Sequence, residues 1–151
     1  LERSRELDAQ VGSAAAAAGL QIRFDLMQRT PNTLDAHRLI QFAAERRRQD
    51  EIVDSLFAAY FVQGRDIGDR DTLIDIAAGA GLDRSETAAF LASDRLVREI
   101  QAEDSGVREA GLSGVPTFLL DRHVLFSGAV PPDVFAEALV KAQRVLATQA
   151  S

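Results

Sequence analysis

Two short segments hold the side chains best suited to chemistry. The first is Thr30-Pro31-Asn32-Thr33-Leu34-Asp35-Ala36-His37, which places an amide five residues ahead of an imidazole. Imidazole changes charge near neutral pH, so His37 is suited to moving a proton. The second is Ser113-Gly114-Val115-Pro116-Thr117-Phe118, at the entrance of an apolar run. Proline has no N–H to give to a sheet ladder, so Pro116 belongs at a strand's first residue or on an edge. Only about 5–6 % of X-Pro bonds in folded proteins are cis, so sequence spacing alone favours a trans bond there. The chain contains no cysteine. It therefore carries neither a disulfide framework nor a cysteine-ligated metal, and no residue of it can supply a thiol nucleophile. No carboxylate pair, Ser-His-Asp order or phosphate loop stands out.

Helices position most of these groups. Residues 2–18 read as the end of an alanine-rich helix stopped by Gly19, and Leu20 to Phe24 alternate like a brief extended piece. Thr30 to Thr33 mark a turn in which Asn32 or Thr33 caps a helix over 33–48, with Ala36, Leu39, Ile40 and Ala43 on one face. His37, three residues from both Leu34 and Ile40, flanks that face as a boundary residue. Arg46-Arg47-Arg48 read as a solvated helix terminus rather than an anion site. Residues 50–63 carry Ile52, Val53, Leu56, Phe57, Tyr60 and Phe61 at helical spacing, a stripe expected in the core. The charged stretch 64–71 lacks calcium-loop spacing and reads as a connector with capping aspartates. Further helices are expected over 71–79, over 84–92 behind the capping box Asp83-Arg84-Ser85-Glu86, and from Ser93 toward Gly111. After Gly111 the pattern changes. Thr117–Leu120 and Val124–Phe126 predict a β-hairpin, with His123 exposed in its turn and Thr117 a strand residue rather than a ligand. Pro131-Pro132 then open a final helix.

A length of 151 residues, 46 % hydrophobic and 26 % charged, describes one ordinary globular domain. Its net charge of -6 argues against binding nucleic acid through phosphates, which needs a basic face. No apolar run reaches the roughly 20 residues of a membrane helix, and no secretory signal is visible.

Three blocks in order resemble one known family: Thr30-Pro-Asn-Thr-Leu-Asp-Ala-His37-Arg38, Ala59-Tyr-Phe-Val-Gln-Gly-Arg-Asp-Ile-Gly68, and Ser113-Gly-Val-Pro-Thr-Phe followed by a hairpin and Ser127-Gly-Ala-Val-Pro-Pro. Together they are similar to DsbA-family thioredoxin-fold proteins, most of all the FrnE-like branch, over nearly all of residues 20–147. The resemblance implies an α/β thioredoxin fold with an inserted helical lid: residues 1–32 lead out of an N-terminal half not seen here, 33–111 form the helical insertion, and 112–151 the C-terminal β-β-α. It implies a cis Val115–Pro116 bond and a Cys-x-x-Cys at a helix N-terminus, where dipole and N–H groups stabilise a thiolate. That motif matches nothing in this chain, so the redox cysteines are expected outside it. By the same resemblance Gly114, Val115 and Pro116 form the substrate-binding loop, with the backbone of Val115 pairing to an extended peptide or glutathione like an added strand. Asn32 and His37 belong to the lid, where His37 would tune the thiolate or pass it a proton, and Asn32 reads first as a cap.

The activity implied is thiol–disulfide exchange on protein or small-molecule partners in the cytoplasm, without metal or cofactor, and with glutathione open as substrate or co-substrate. Two other functions compete. Glutathione-dependent isomerases and transferases, of the 2-hydroxychromene-2-carboxylate and kappa types, share the lid. They usually carry an acidic-basic pair after the second strand that Ser127–Pro132 lacks. A non-catalytic peptide-binding module would use the same Val115 edge. An α-rich interaction domain with Pro116 trans is the fourth reading. The sheet edge of residues 112–151 also leaves homodimerisation by strand exchange open.

Overall fold

Short turns separate the helices, and aspartate side chains cap two of them at their starts. The computed structural model describes residues 2–109, 115–121 and 123–149. They form α1 (Glu2–Ala17), α2 (Leu34–Ala44), α3 (Gln49–Phe57), α4 (Arg70–Gly79), α5 (Arg84–Ala92), α6 (Val97–Glu109), β1 (Thr117–Leu120), β2 (His123–Ser127) and α7 (Pro132–Gln149). Two compact units result, residues 1–101 and 102–151. The division falls within α6, ahead of the Gly111 at which the sequence pattern changes.

In the first unit α2, α3, α4 and α5 enclose one apolar core. Leu39, Phe42, Ala43, Ile52, Leu73, Ala77 and Leu91 are almost completely buried, each large side chain contributing roughly 1.5–3 kcal/mol. Phe42 stacks on Phe90 with ring centres 4.3 Å apart. The Asp69 carboxylate accepts from the Thr72 N–H at 2.9 Å and Asp83 from Glu86 at 2.8 Å, capping α4 and α5. The expected capping box is half used, because the Glu86 carboxylate pairs with Arg46 instead.

Helix α2 is shorter than the span 33–48 suggested. It ends at Ala44, Arg47 adopts φ +57°, and the Arg48 N–H closes back on the Ala43 carbonyl at 2.9 Å, as at many helix C-termini. The arginine run serves this stop. Arg46 lies 3.6 Å from the Phe42 ring centre and donates to the Phe42 carbonyl at 3.0 Å, while Arg48 pairs with Glu51 at 2.9 Å.

The stripe over 50–63 does not enter the core whole. Ile52, Leu56 and Ala59 are buried, while Phe57 is 58 % exposed and Val53, Tyr60 and Phe61 are half-buried. At about 100° per residue, 52, 56 and 59 share one narrow face, 53 and 60 lie to one side of it, and 57 and 61 lie farther round. The helix also changes type, with a π-helical turn over Ala58–Val62. The Phe61 carbonyl accepts from the Arg23 N–H at 2.8 Å. That contact bears on a second departure: residues 20–24 form no strand, and a 3₁₀ turn occupies Phe24–Leu26. Arg23 clasps Asp25 across the turn at 2.8 and 2.6 Å.

In the second unit β1 and β2 pair antiparallel, Thr117 opposite Ser127 and Leu120 opposite His123, with an irregularity between Phe118 and Leu119. A lone hairpin is marginal in water. Here Phe118, Phe126 and Phe135 of α7 pack ring against ring at 4.8–5.6 Å.

Candidate functional site

At the entrance of β1 the Val115–Pro116 bond is cis. The Pro116 carbonyl accepts from the Gly128 N–H at 2.7 Å, tying the loop to the end of β2, where Gly128 takes φ +96°. Val115 is 92 % exposed, and its backbone groups bond no described residue. An extended ligand would find an unpaired peptide unit there. Gly114, expected as part of this loop, lies outside the described residues. Thr117 is a strand residue whose hydroxyl lies 2.9 Å from that of Ser127. His123 is exposed, and its Nδ1 lies 2.8 Å from the Asp121 carbonyl oxygen.

In the first unit His37 borders an apolar pocket of about 300 Å³. Ala36 and Leu56 form its buried base, and Thr30, Thr33, His37 and Phe57 are its exposed rim. The half-buried face of the 50–63 segment supplies a wall: Tyr60 meets Phe61 edge-on at 4.9 Å, and Phe61 lies 6.0 Å from Phe57. The sequence pattern marked these residues as apolar and helical; that they line a cavity depends on where the core stripe ends, which periodicity does not specify.

Asn32 does not join His37 in this pocket. Its Oδ1 accepts from the Leu34 N–H at 3.0 Å, satisfying a free donor at the start of α2. It borders a separate, polar cleft with Asp35, Arg70 and Asp94. The capping expectation thus has a direct geometric counterpart.

Arg38 carries no motif of its own in the sequence. It is 1 % exposed and donates to the carbonyls of Phe90 (3.1 Å), Ser93 (2.6 Å) and Arg95 (2.8 Å). A cation there occupies the negative end of α5 and adds a charged donor to carbonyls at and just beyond its last turn. Asp35 holds it from one turn earlier at 2.6 Å, and Arg70 reaches the other Asp35 oxygen at 2.8 Å. Burial pushes the Asp35 carboxyl up, but hydrogen bonds from Arg70 and Arg38 outweigh it and hold the group below its ordinary value. The signal was the Asp35–Arg38 spacing on a face adjoining Leu39. Among the described residues no cluster of histidines and carboxylates could hold a metal ion.

The model of the DSBA-like thioredoxin domain matches residues 1–140. This chain belongs to the DSBA-like thioredoxin domain family. Its fold is accordingly the α/β thioredoxin fold with an inserted helical subdomain, of which the described hairpin and α7 are the β-β-α end. A crystal structure from Streptomyces coelicolor, named a "probable DsbA oxidoreductase SCO1869", superposes with a TM-score of 0.80 at 35 % identity, covering 94 % of this chain and 61 % of that one. A second, from Nitrosomonas europaea and named provisionally as a protein disulfide isomerase, gives a TM-score of 0.76 at 18 % identity over 95 % of this chain and 74 % of the other. The uncharacterized Bacillus subtilis protein YwbO is 30 % identical over 132 residues, 86 % of this chain and 65 % of its own length. The chain therefore spans less than two thirds of the length of the Streptomyces protein and of the Bacillus relative. Among the described residues no helix is long and apolar enough to cross a membrane.

Proposed function

We propose that the protein is a thiol–disulfide oxidoreductase of the FrnE-like branch, whose redox cysteines lie outside residues 1–151. The observation that carries this reading is the cis-proline loop with an exposed, unpaired Val115 at a sheet edge, in a chain of the DSBA-like family. The chemistry is a two-step exchange. A thiolate attacks one sulfur of a substrate disulfide, and the substrate's other sulfur leaves as a thiolate. The second thiol then attacks the mixed disulfide, so the protein is oxidised by two electrons and the substrate reduced by two. Residues 1–151 contribute binding to this scheme. Val115 offers its N–H and C=O to an extended peptide or to glutathione, Pro116 shapes the cleft beside the thiol, and His37 serves in the helical insertion as a proton-transfer group. No cofactor is needed, the partners are thiol- or disulfide-bearing molecules, and the compartment is the cytoplasm.

The absence of cysteine from the 151 residues favours one second reading, a peptide-binding module without redox chemistry. Turnover of a fluorescent peptide disulfide by the gene product containing these residues separates the two. With Val115→Asp, a change at an exposed position, the account expects KM to rise several-fold with kcat nearly unchanged. Absence of exchange in the parent protein, or exchange indifferent to residue 115, would count against it.

A further inference from the structure

The exchange scheme uses His37 but not the apolar lining of the pocket beside it. No Lys, Arg, Asp or Glu side chain lines it, and its walls are aromatic and aliphatic. Around its rim and wall stand groups that can make hydrogen bonds, the hydroxyls of Thr30, Thr33 and Tyr60 and the His37 ring, and none of them bonds a side chain or backbone group among the described residues. Phe57 remains 58 % exposed at the mouth, against a wall of rings already set in tilted and edge-on pairs. A ligand ring beside them would have the same offset and edge-on geometries available. A cavity of ~150 Å³ lined by apolar side chains holds benzene, so the volume of about 300 Å³ has room for a two-ring molecule.

We propose that this pocket is a binding site for a neutral one- or two-ring aromatic molecule bearing a hydroxyl or carbonyl group. The rings occupy the space between Phe57, Phe61 and Val53, and the polar substituent bonds to Tyr60 or His37 at the rim. Carboxylates and sulfonates are disfavoured because nothing lining the cavity offers a fixed positive charge. The site lies within the first unit, and it shares His37 with the proposed exchange while its binding involves no thiol.

Titrating 1-naphthol into the full chain by calorimetry, with naphthalene and 2-naphthalenesulfonate as comparators, tests this. Saturable one-to-one binding of 1-naphthol is expected, with the sulfonate at least tenfold weaker. Val53→Trp should fill the cavity and weaken binding more than tenfold. Tyr60→Phe and His37→Gln, changes outside the core, test the polar contact in proteins that keep their thermal transition. At least one should weaken 1-naphthol by about three- to tenfold while leaving naphthalene unchanged. The proposal is overturned by an absence of saturable binding, by equal affinity for the sulfonate, or by displacement of 1-naphthol by a short phenylalanine-containing peptide at lower concentration. It is also overturned if binding by a folded Val53→Trp protein matches the parent.

Discussion

Arg38 shows how much a single residue can fix. Its guanidinium is buried at the end of α5, bonded to carbonyls there and to Asp35. Removing one partner of a buried ionic pair commonly costs about 3–5 kcal/mol, so Arg38→Met should lower unfolding free energy by that order in urea titrations. A loss below about 1 kcal/mol would mean that water replaces the guanidinium without cost. Asp35 makes the same cluster sensitive to acid. Its carboxyl is held below its ordinary value, so its contribution is full above the unfolded pKa of ~3.9 and is lost as pH falls through the lower folded value. Asp35→Asn should therefore be less stable than the parent at pH 7, the gap closing as pH falls below about 4. A gap that stays constant with pH would remove the carboxylate's charge from the explanation.

At the scale of elements, the connector over 20–33 and the loop after the π-helical turn depend on glycine. Gly64 has φ +66°, and a Cβ there would come within 2.4 Å of the Leu26 Cβ and 2.7 Å of its carbonyl oxygen. Gly64→Ala should cost about 2–4 kcal/mol through left-handed strain and overlap. Gly106, inside α6 with nothing within 4 Å of an added Cβ, is the converse case. Gly106→Ala should stabilise by about 0.5–1 kcal/mol, and thermal melts of the two variants should shift in opposite directions. Much at this scale was legible in the sequence: the apolar face of α2, the aspartate caps of α4 and α5, the hairpin and α7 all follow from periodicity and turn chemistry. Legibility failed where a tertiary contact outweighs local pattern. Alternation at 20–24 suggested a strand, but the Arg23–Asp25 clasp and the bond to the Phe61 carbonyl hold a turn. The spacing over 50–63 predicts core throughout, whereas only one face of that segment meets α2 and α4.

For the whole molecule, the distinguishing fact is a thioredoxin-type β-β-α end in a chain that has no sulfur nucleophile and spans 61–65 % of two relatives. The sequence made both halves of this visible: Gly114-Val-Pro-Thr-Phe and the blocks before it pointed to the family, and a count of residues gave the missing cysteines. What it left out was the pocket beside His37, because a cavity is a property of how faces close and not of any one motif. Leu119, Val124 and Val145 of the second unit are among its exposed apolar side chains. The central claim is that thiol chemistry reaches the Val115–Pro116 loop from residues beyond these 151. Its most direct test is an intact mass of the purified gene product, joined to a thiol titration of the reduced, denatured sample. The account predicts a mass well above 16.4 kDa with two reactive thiols. A mass of 16.4 kDa with no thiol would contradict it and leave the protein a binding module.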